Sequence, residues 1–335
     1  MGPILFVLFI NDMADGIDCN TDLALYADDT KIWRKIRNEK DHIKLQADIN
    51  YLLMWSIRNK INFNFDKCKV LSINNKSSPL SMLPFATFFY YLGDKMLPFV
   101  DSETDLGVII SSNFSFNEQC ENVLSKANQK YGLLRRTCHF VDDVKRKRNL
   151  YLALVRAQFE HCSQIWHPNK IDNKTLVDKF ENVQKKCIKW ILKEEEYSYH
   201  SVEMYNTKCK EANLLPMIHR FNLNDLVLFH KVFHRRIPVK MPPYLSLFTG
   251  NQLRSSHLDN LCFVSSVLPR GSSTATLNKS FFYRTHNLWN RLPLEIRQIV
   301  SPIEFRREVI EHFWELVSND NGSDSIDDSM DDSIT

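Results

Sequence analysis

The sequence predicts an α+β chain in which the strands come first and the helices last. Short alternating apolar runs bounded by polar turns occupy residues 1–111, and 3.6-residue apolar spacing takes over after Ser112. Glycine is scarce as well, with 8 in 335 residues and no two closer than 14 positions. That scarcity removes the dinucleotide-binding G-x-G-x-x-G, the P-loop and the G-x-S-x-G nucleophile elbow together.

The elements follow in order. Residues 4–10 form an apolar run closed by Asn11 and Asp12. The run is far shorter than the ~20 residues of a spanning helix. It also lacks the positive flank and small-residue cleavage site of a signal peptide, so a buried core element is expected. Leu23-Ala24-Leu25-Tyr26 and Lys31-Ile32-Trp33 read as two strands around an Asp28-Asp29 tip. From Asp41, a candidate N-cap, apolar residues at Leu45, Ile49, Leu52, Leu53 and Ile57 give a helix of about four turns. Ile61, Phe63 and Phe65 alternate with polar neighbours, and residues 70–73 follow as a second strand after a turn at Asp66-Lys67. Residues 74–100 read as loop with short strands, and 105–110 as one further strand. Helices are expected over 116–136, 144–166, 176–192, 215–233 and 302–316. The predicted organisation is 1–111, 112–200, 201–318 and an acidic, disordered tail at 319–335.

The charge is uneven. Lys plus Arg is 43 against 40 Asp plus Glu, a net +3, but six Asp lie in 319–335 with no basic residue. Removing those six leaves 34 acids against 43 bases, or +9 for residues 1–318. A basic body suits a polyanionic partner. The eight cysteines are scattered without a C-x-x-C pair, which reads as reduced thiols in a cytoplasmic or nuclear protein. Cys138-His139, His161-Cys162 and His167 match no zinc-ligand spacing, so packing is the favoured role.

Tyr26-Ala27-Asp28-Asp29 carries the chemistry. Two adjacent carboxylates are usually a solvated turn, but between two strand-like runs they project from a rigid hairpin. Nucleotidyl transfer needs carboxylates held this way, because two Mg²⁺ ions ~3.5–4 Å apart bridge the primer hydroxyl, the α-phosphate and the leaving pyrophosphate. Hard cations take oxygen ligands.

The chain resembles the reverse transcriptases of non-LTR (LINE-type, jockey-like) retrotransposons, collinearly over nearly its whole length. Gly2-Pro3-Ile4-Leu5-Phe6-Val7-Leu8-Phe9-Ile10-Asn11-Asp12 is similar to the family's GP-L-F-L-F-IND segment, and Tyr26-Ala27-Asp28-Asp29 to its F/Y-A-D-D hairpin. Asn64-Phe65-Asp66-Lys67-Cys68-Lys69 resembles the next palm motif, and Asp105-Leu106-Gly107-Val108 the LGV strand that ends the palm. The helical part is similar to the family's thumb through Lys126-Ala127, Leu133-Leu134-Arg135-Arg136, Leu150-Tyr151, Leu154-Val155-Arg156, Glu160, Trp166-His167-Pro168 and Glu181-Asn182-Val183-Gln184. Trp289-Asn290-Arg291-Leu292-Pro293 resembles a segment near the end of such reading frames.

The resemblance implies a partial palm, a small antiparallel sheet with helices, followed by a mainly helical thumb-like domain. It implies Asp28 as a ligand of both metals and Asp29 as a weaker or outer one, with Mg²⁺ as cofactor and Mn²⁺ as its substitute. Tyr26 would lie beneath the primer terminus or incoming nucleotide; simple packing is the other reading. Lys67 would approach the triphosphate and protonate the pyrophosphate; an exposed turn lysine is the alternative. The implied partners are an RNA template, a DNA primer and deoxynucleoside triphosphates, with no membrane. The family's site needs another aspartate, on a palm strand before the segment at Gly2, so this polypeptide alone is expected not to be a competent polymerase.

Phosphate contacts are expected from Arg34 and Lys35 after the hairpin, from Arg135 and Arg136, and from the run Lys145-Arg146-Lys147-Arg148. That run could equally be a nuclear import signal. Two classes of function remain: a reverse-transcriptase fragment, and a non-catalytic RNA- or DNA-binding module.

Overall fold

The computed structural model describes residues 1–73, 88–168, 170–194, 201–248, 261–266 and 280–319. The expected acidic tail from residue 320, and residues 74–87 of the stretch expected to be loop, lie outside the described residues, as do 249–260 and 267–279. The fold is α+β, with small, mostly antiparallel strand pairs and many helices. The chain forms two compact units, Met1–Ser115 and Phe116–Thr335. No helix among the described residues is long and apolar enough to cross a membrane.

The first unit opens with helix α1 (Gly2–Ile10), started by Pro3 in its first turn. Strands β1 (Thr21–Tyr26) and β2 (Asp29–Arg34) form an antiparallel hairpin. Helix α2 (Glu39–Asn59) follows, N-capped by the Asn38 side chain, which accepts from the Asp41 amide at 3.1 Å. Asp41 is therefore inside the first turn, three residues after the cap. Short strands β3 (Val70–Leu71), β4 (Tyr91–Leu92), β5 (Lys95–Met96) and β6 (Phe99–Val100) come next. β3 pairs with β6 in parallel, and β4 with β5 antiparallel. β7 (Ser102–Asp105) and β8 (Val108–Ser111) make a second hairpin. One core joins Ile10, Met13, Leu52 and Trp55 with Leu23, Leu25 and Ile32 of the hairpin. A second joins Ile49, Tyr90, Leu92 and Leu97, and Ile32 reaches it too.

Three expectations change here. Residues 4–10 are a helix but are not buried: Ile4, Leu5, Val7 and Leu8 are exposed and only Ile10 is fully covered. Phe6 and Ile10 pack on the core, and the other sides of this apolar helix have no described residue covering them. Residues 61–65 keep alternating burial without a ladder. Lys60 turns left-handed at φ 58°, and the Asn64 side chain accepts from the Asp66 amide at 3.2 Å, starting a turn instead. Residues 105–110 are two strands, because Leu106 (φ 48°) and Gly107 (φ 85°) form a two-residue loop between Asp105 and Val108.

The second unit is built on α3 (Asn117–Thr137) and α7 (Lys170–Leu192). Between them the expected single helix over 144–166 is broken. α4 (Val144–Leu150) runs into a wide π turn at Tyr151–Arg156 and then α5 (Ala157–Glu160). Cys162 at φ 50° ends that path before α6 (Ser163–Trp166). α8 (Val202–Glu211) and α9 (Met217–Phe233) continue the unit, and α9 packs on both α6 and α7. The last core gathers Phe229, Phe263, Trp289 and Phe305 from α9, the β9–β10 pair (Leu245–Leu247 with Phe263–Ser265), α10 (Phe281–Asn290) and α12 (Pro302–Asn319). The single turn α11 (Leu294–Arg297) joins α10 to α12.

Candidate functional site: the carboxylate hairpin

The β1–β2 register pairs Tyr26 with Asp29, leaving Ala27 and Asp28 as the two-residue loop. Ala27 lies at φ 51°, a region that an alanine β-carbon disfavours but a tight hairpin loop requires at its first position. Asp28 is thus the loop residue and Asp29 the first residue of β2. Both are exposed, as is Tyr26 at 66%. Strand alternation sends Leu23, Leu25, Thr30, Ile32 and Arg34 to one face and Tyr26, Asp29, Lys31 and Trp33 to the other. The first face is anchored in the core, so the tip is backed by packed side chains while its other face stays open.

The base of the hairpin is tied by charge. Arg34 Nη1 donates to Asp18 Oδ1 at 2.7 Å and to Thr21 Oγ1 at 2.9 Å, and Nη2 reaches Asp41 Oδ1 at 3.4 Å. The Arg34 guanidinium beside Asp18 holds that carboxyl well below the usual range, helped by the Asn20 amide and Lys44. The Arg34 side chain is only 3% exposed. Arg34, expected to meet phosphate, is instead turned inward, because it shares the face of Ile32. Below the hairpin, Trp55 Nε1 donates to Asp12 Oδ1 at 2.8 Å, and Gly16 lies so close to Tyr51 that an added β-carbon would be 2.2 Å from the ring.

Lys67 occupies a single exposed turn, Phe65–Lys67, whose Phe65 joins the core that Ile32 also enters. No described hydrogen bond or ion pair joins Lys67 to Asp28 or Asp29. Lys31, next outward residue after Asp29, is ion-paired with Asp105 at the tip of the β7–β8 hairpin. No sequence motif signalled that contact. Among the described residues, no group of three or more His, Cys, Asp or Glu is arranged to hold a metal. The donors present are the two hard-oxygen carboxylates of the tip, a set that suits one largely hydrated Mg²⁺.

The cations of the second unit divide. Lys35, in the first unit, is exposed, as are Arg135 and Arg136 in the last turn of α3 and Lys145 and Arg146 in α4. Lys147 is buried: its Nζ donates to the Trp190 carbonyl at 2.9 Å and sits 5.2 Å over the indole. Burial lowers its pKa. Arg148 donates to the Asn213 carbonyl at 3.0 Å. The run of four basics therefore presents two to solvent and spends two on the fold.

The helical motifs of the resemblance are also structural here. Gln184 accepts from Tyr151 Oη at 2.8 Å and donates to Tyr205 Oη and the Leu215 carbonyl, both at 3.0 Å. Glu160 Oε1 accepts from Arg156 and Arg220. Asn290 bonds both the amide and the carbonyl of Phe263, at 2.9 and 2.8 Å, and so continues the β9–β10 pair from a helix end. No known family, curated protein or solved structure matches the chain.

Proposed function

We propose that Met1–Ser115 is the later part of a reverse-transcriptase palm, in which Asp28 and Asp29 are metal-ligand carboxylates for nucleotidyl transfer, and that the helices from Phe116 onward include the thumb. The observation that carries this reading is the hairpin itself: a two-residue loop with Asp28 in it, Asp29 beside it and Tyr26 opposite, all exposed, on strands whose other face is locked into a core. The Arg34–Asp18 pair at its base and the core under its inner face hold that tip in place.

In this reading Asp28 and Asp29 hold Mg²⁺, which when bound supplies Lewis-acid activation and charge neutralisation on the triphosphate. The chain's own residues position it. Arg34, Asp18 and Asp41 fix the base of the hairpin, and Leu23, Leu25 and Ile32 fix its pitch. Tyr26 offers a ring beside the carboxylates for the primer terminus or incoming nucleotide. Lys67 enters through the resemblance alone, as a point charge for the triphosphate. A two-ion clamp also needs a carboxylate from another palm strand, so Asp28 and Asp29 on their own hold metal weakly.

The test is Mn²⁺ binding followed by electron paramagnetic resonance, with primer extension on poly(rA)/oligo(dT) run alongside. Wild type binds Mn²⁺ weakly, and Asp28→Asn abolishes that binding. Undiminished Mn²⁺ binding in the Asp28→Asn/Asp29→Asn double variant sinks the reading. The exposed Arg135, Arg136, Lys145 and Arg146 favour a second reading, a non-catalytic nucleic-acid-binding module. There, neutralising both aspartates leaves RNA binding unchanged or tighter.

A further inference from the structure

β2 ends at Arg34, and the alternation of exposure along it runs on past that end. Exposed and half-buried residues alternate without a slip from Asp29 to Arg37, so that Asp29, Lys31, Trp33, Lys35 and Arg37 are exposed while Thr30, Ile32, Arg34 and Ile36 are not. Trp33 is 47% exposed, although it stands on a strand whose inner face has a core to offer. Its indole thus stands half in water between two exposed cations, Lys31 and Lys35. Within β2 the outward residues Asp29, Lys31 and Trp33 are ~6.6–6.8 Å apart, a step that an extended single strand with unstacked bases can follow. Cations alternating with an aromatic face are the combination that binds single strands: the cations take phosphates and the ring takes a base.

We propose that this row is a track for single-stranded nucleic acid, with Trp33 as its stacking platform and Lys35 and Arg37 as its phosphate contacts. It deepens the reading above and rests on it for the nature of the partner. Neighbouring side chains set how a strand lies. Opposite Lys31 stands Ala24, which leaves the lysine unshaded, and Lys31 itself is held by Asp105. Opposite Trp33 stands Asp22, exposed and acidic, which repels phosphate at that step. The strand therefore presents a base at Trp33 and its phosphates beyond, over Lys35 and Arg37, running away from the Asp28–Asp29 tip. Arg34, between them in sequence, takes no part.

The experiment is fluorescence anisotropy of labelled 15-nucleotide oligo(dT) and oligo(rU), and of a duplex of equal length, with the full chain in EDTA. Photocrosslinking of a 5-iodouracil oligonucleotide, read by mass spectrometry, maps the contact. Trp33→Ala weakens single-strand binding by about 10-fold, Trp33→Phe retains most of it, and duplex binding changes little. Lys35→Ala/Arg37→Ala lowers the slope of log K against log salt by about 1.4. Asp22→Asn tightens binding, and the crosslink falls on the peptide holding Trp33. Equal weakening of single strand and duplex by Trp33→Ala, no effect of it, or no binding at all overturns the proposal. Because EDTA removes the metal, a failure of the metal reading shows instead in the Mn²⁺ titration, and the two results are independent.

Discussion

Arg284 grips Asp225 with two nitrogens, Nε 2.8 Å from Oδ2 and Nη2 3.1 Å from Oδ1, and Asp225 is fully buried. His167 Nδ1 meets the same Oδ2 at 3.0 Å, so one carboxylate ties α9 to α10 and to the residue that ends α6. Breaking a buried pair from one side leaves the other charge stranded. Arg284→Met is expected to cost about 3–5 kcal/mol in urea unfolding. Asp225→Leu/Arg284→Met, which removes both charges, loses less than the single variant.

Acid weakens the second unit through its histidines. Burial brings the His230 pKa down to about 4, against a smaller opposing effect of its 2.8 Å bond to the Ile299 carbonyl. His234 and Arg236 disfavour its charge further, and Phe305 stacks on the ring at 4.2 Å. Unfolded, the imidazole takes a proton near pH 6.5; folded, it refuses one until about 4. Stability is therefore full above pH 6.5 and falls as pH drops to about 4, by about 3 kcal/mol from this residue. Burial lowers His167 and His286 in the same direction. Melting temperatures from pH 8 to 4 fall accordingly, and His230→Gln, which keeps a donor for Ile299, makes the fall shallower.

Arg34 and the exposed pair Lys145 and Arg146 separate structure from binding. Arg34→Ala lowers the melting temperature by several degrees, because Asp18, Thr21 and Asp41 lose their shared donor. Lys145→Ala/Arg146→Ala leaves stability within about 0.5 kcal/mol. The pair reduces the salt dependence of RNA binding, a slope change of about 1.4 for two contacts. A melting curve and an RNA titration of each variant check both.

Gly16 faces the Tyr51 ring without room for a β-carbon. Gly16→Ala is expected to cost about 1–3 kcal/mol as overpacking. The cost shrinks in a Tyr51→Leu background, a coupling that a double-mutant cycle measures directly.

The hairpin was legible in the sequence because period-two alternation survives in Leu23, Leu25 and Ile32, and the same period also decides Arg34. Once Ile32 points inward, residue 34 must do so, and reading it by charge type alone loses that. The α2 helix was legible from Ile49 and Leu52, yet the largest side chain it buries, Trp55, was not among the expected positions. Period alone cannot register the left-handed residues. Leu106 makes two strands of one, and Cys162 divides a helix where neither glycine nor proline gives warning. The tie from Lys31 to Asp105 spans 74 positions, a distance at which no local pattern speaks.

The bare side chains of Gly2–Ile10 have a consequence for handling. Ile4, Leu5, Val7, Leu8 and Phe9 are each 45–68% exposed on one short helix without a charge. Water wets such a surface poorly, so molecules bearing it stick together as they are concentrated. This helix is therefore expected to promote self-association: light scattering rises with concentration, and Leu5→Lys/Leu8→Lys lessens that rise while the core, to which Phe6 and Ile10 belong, stays intact.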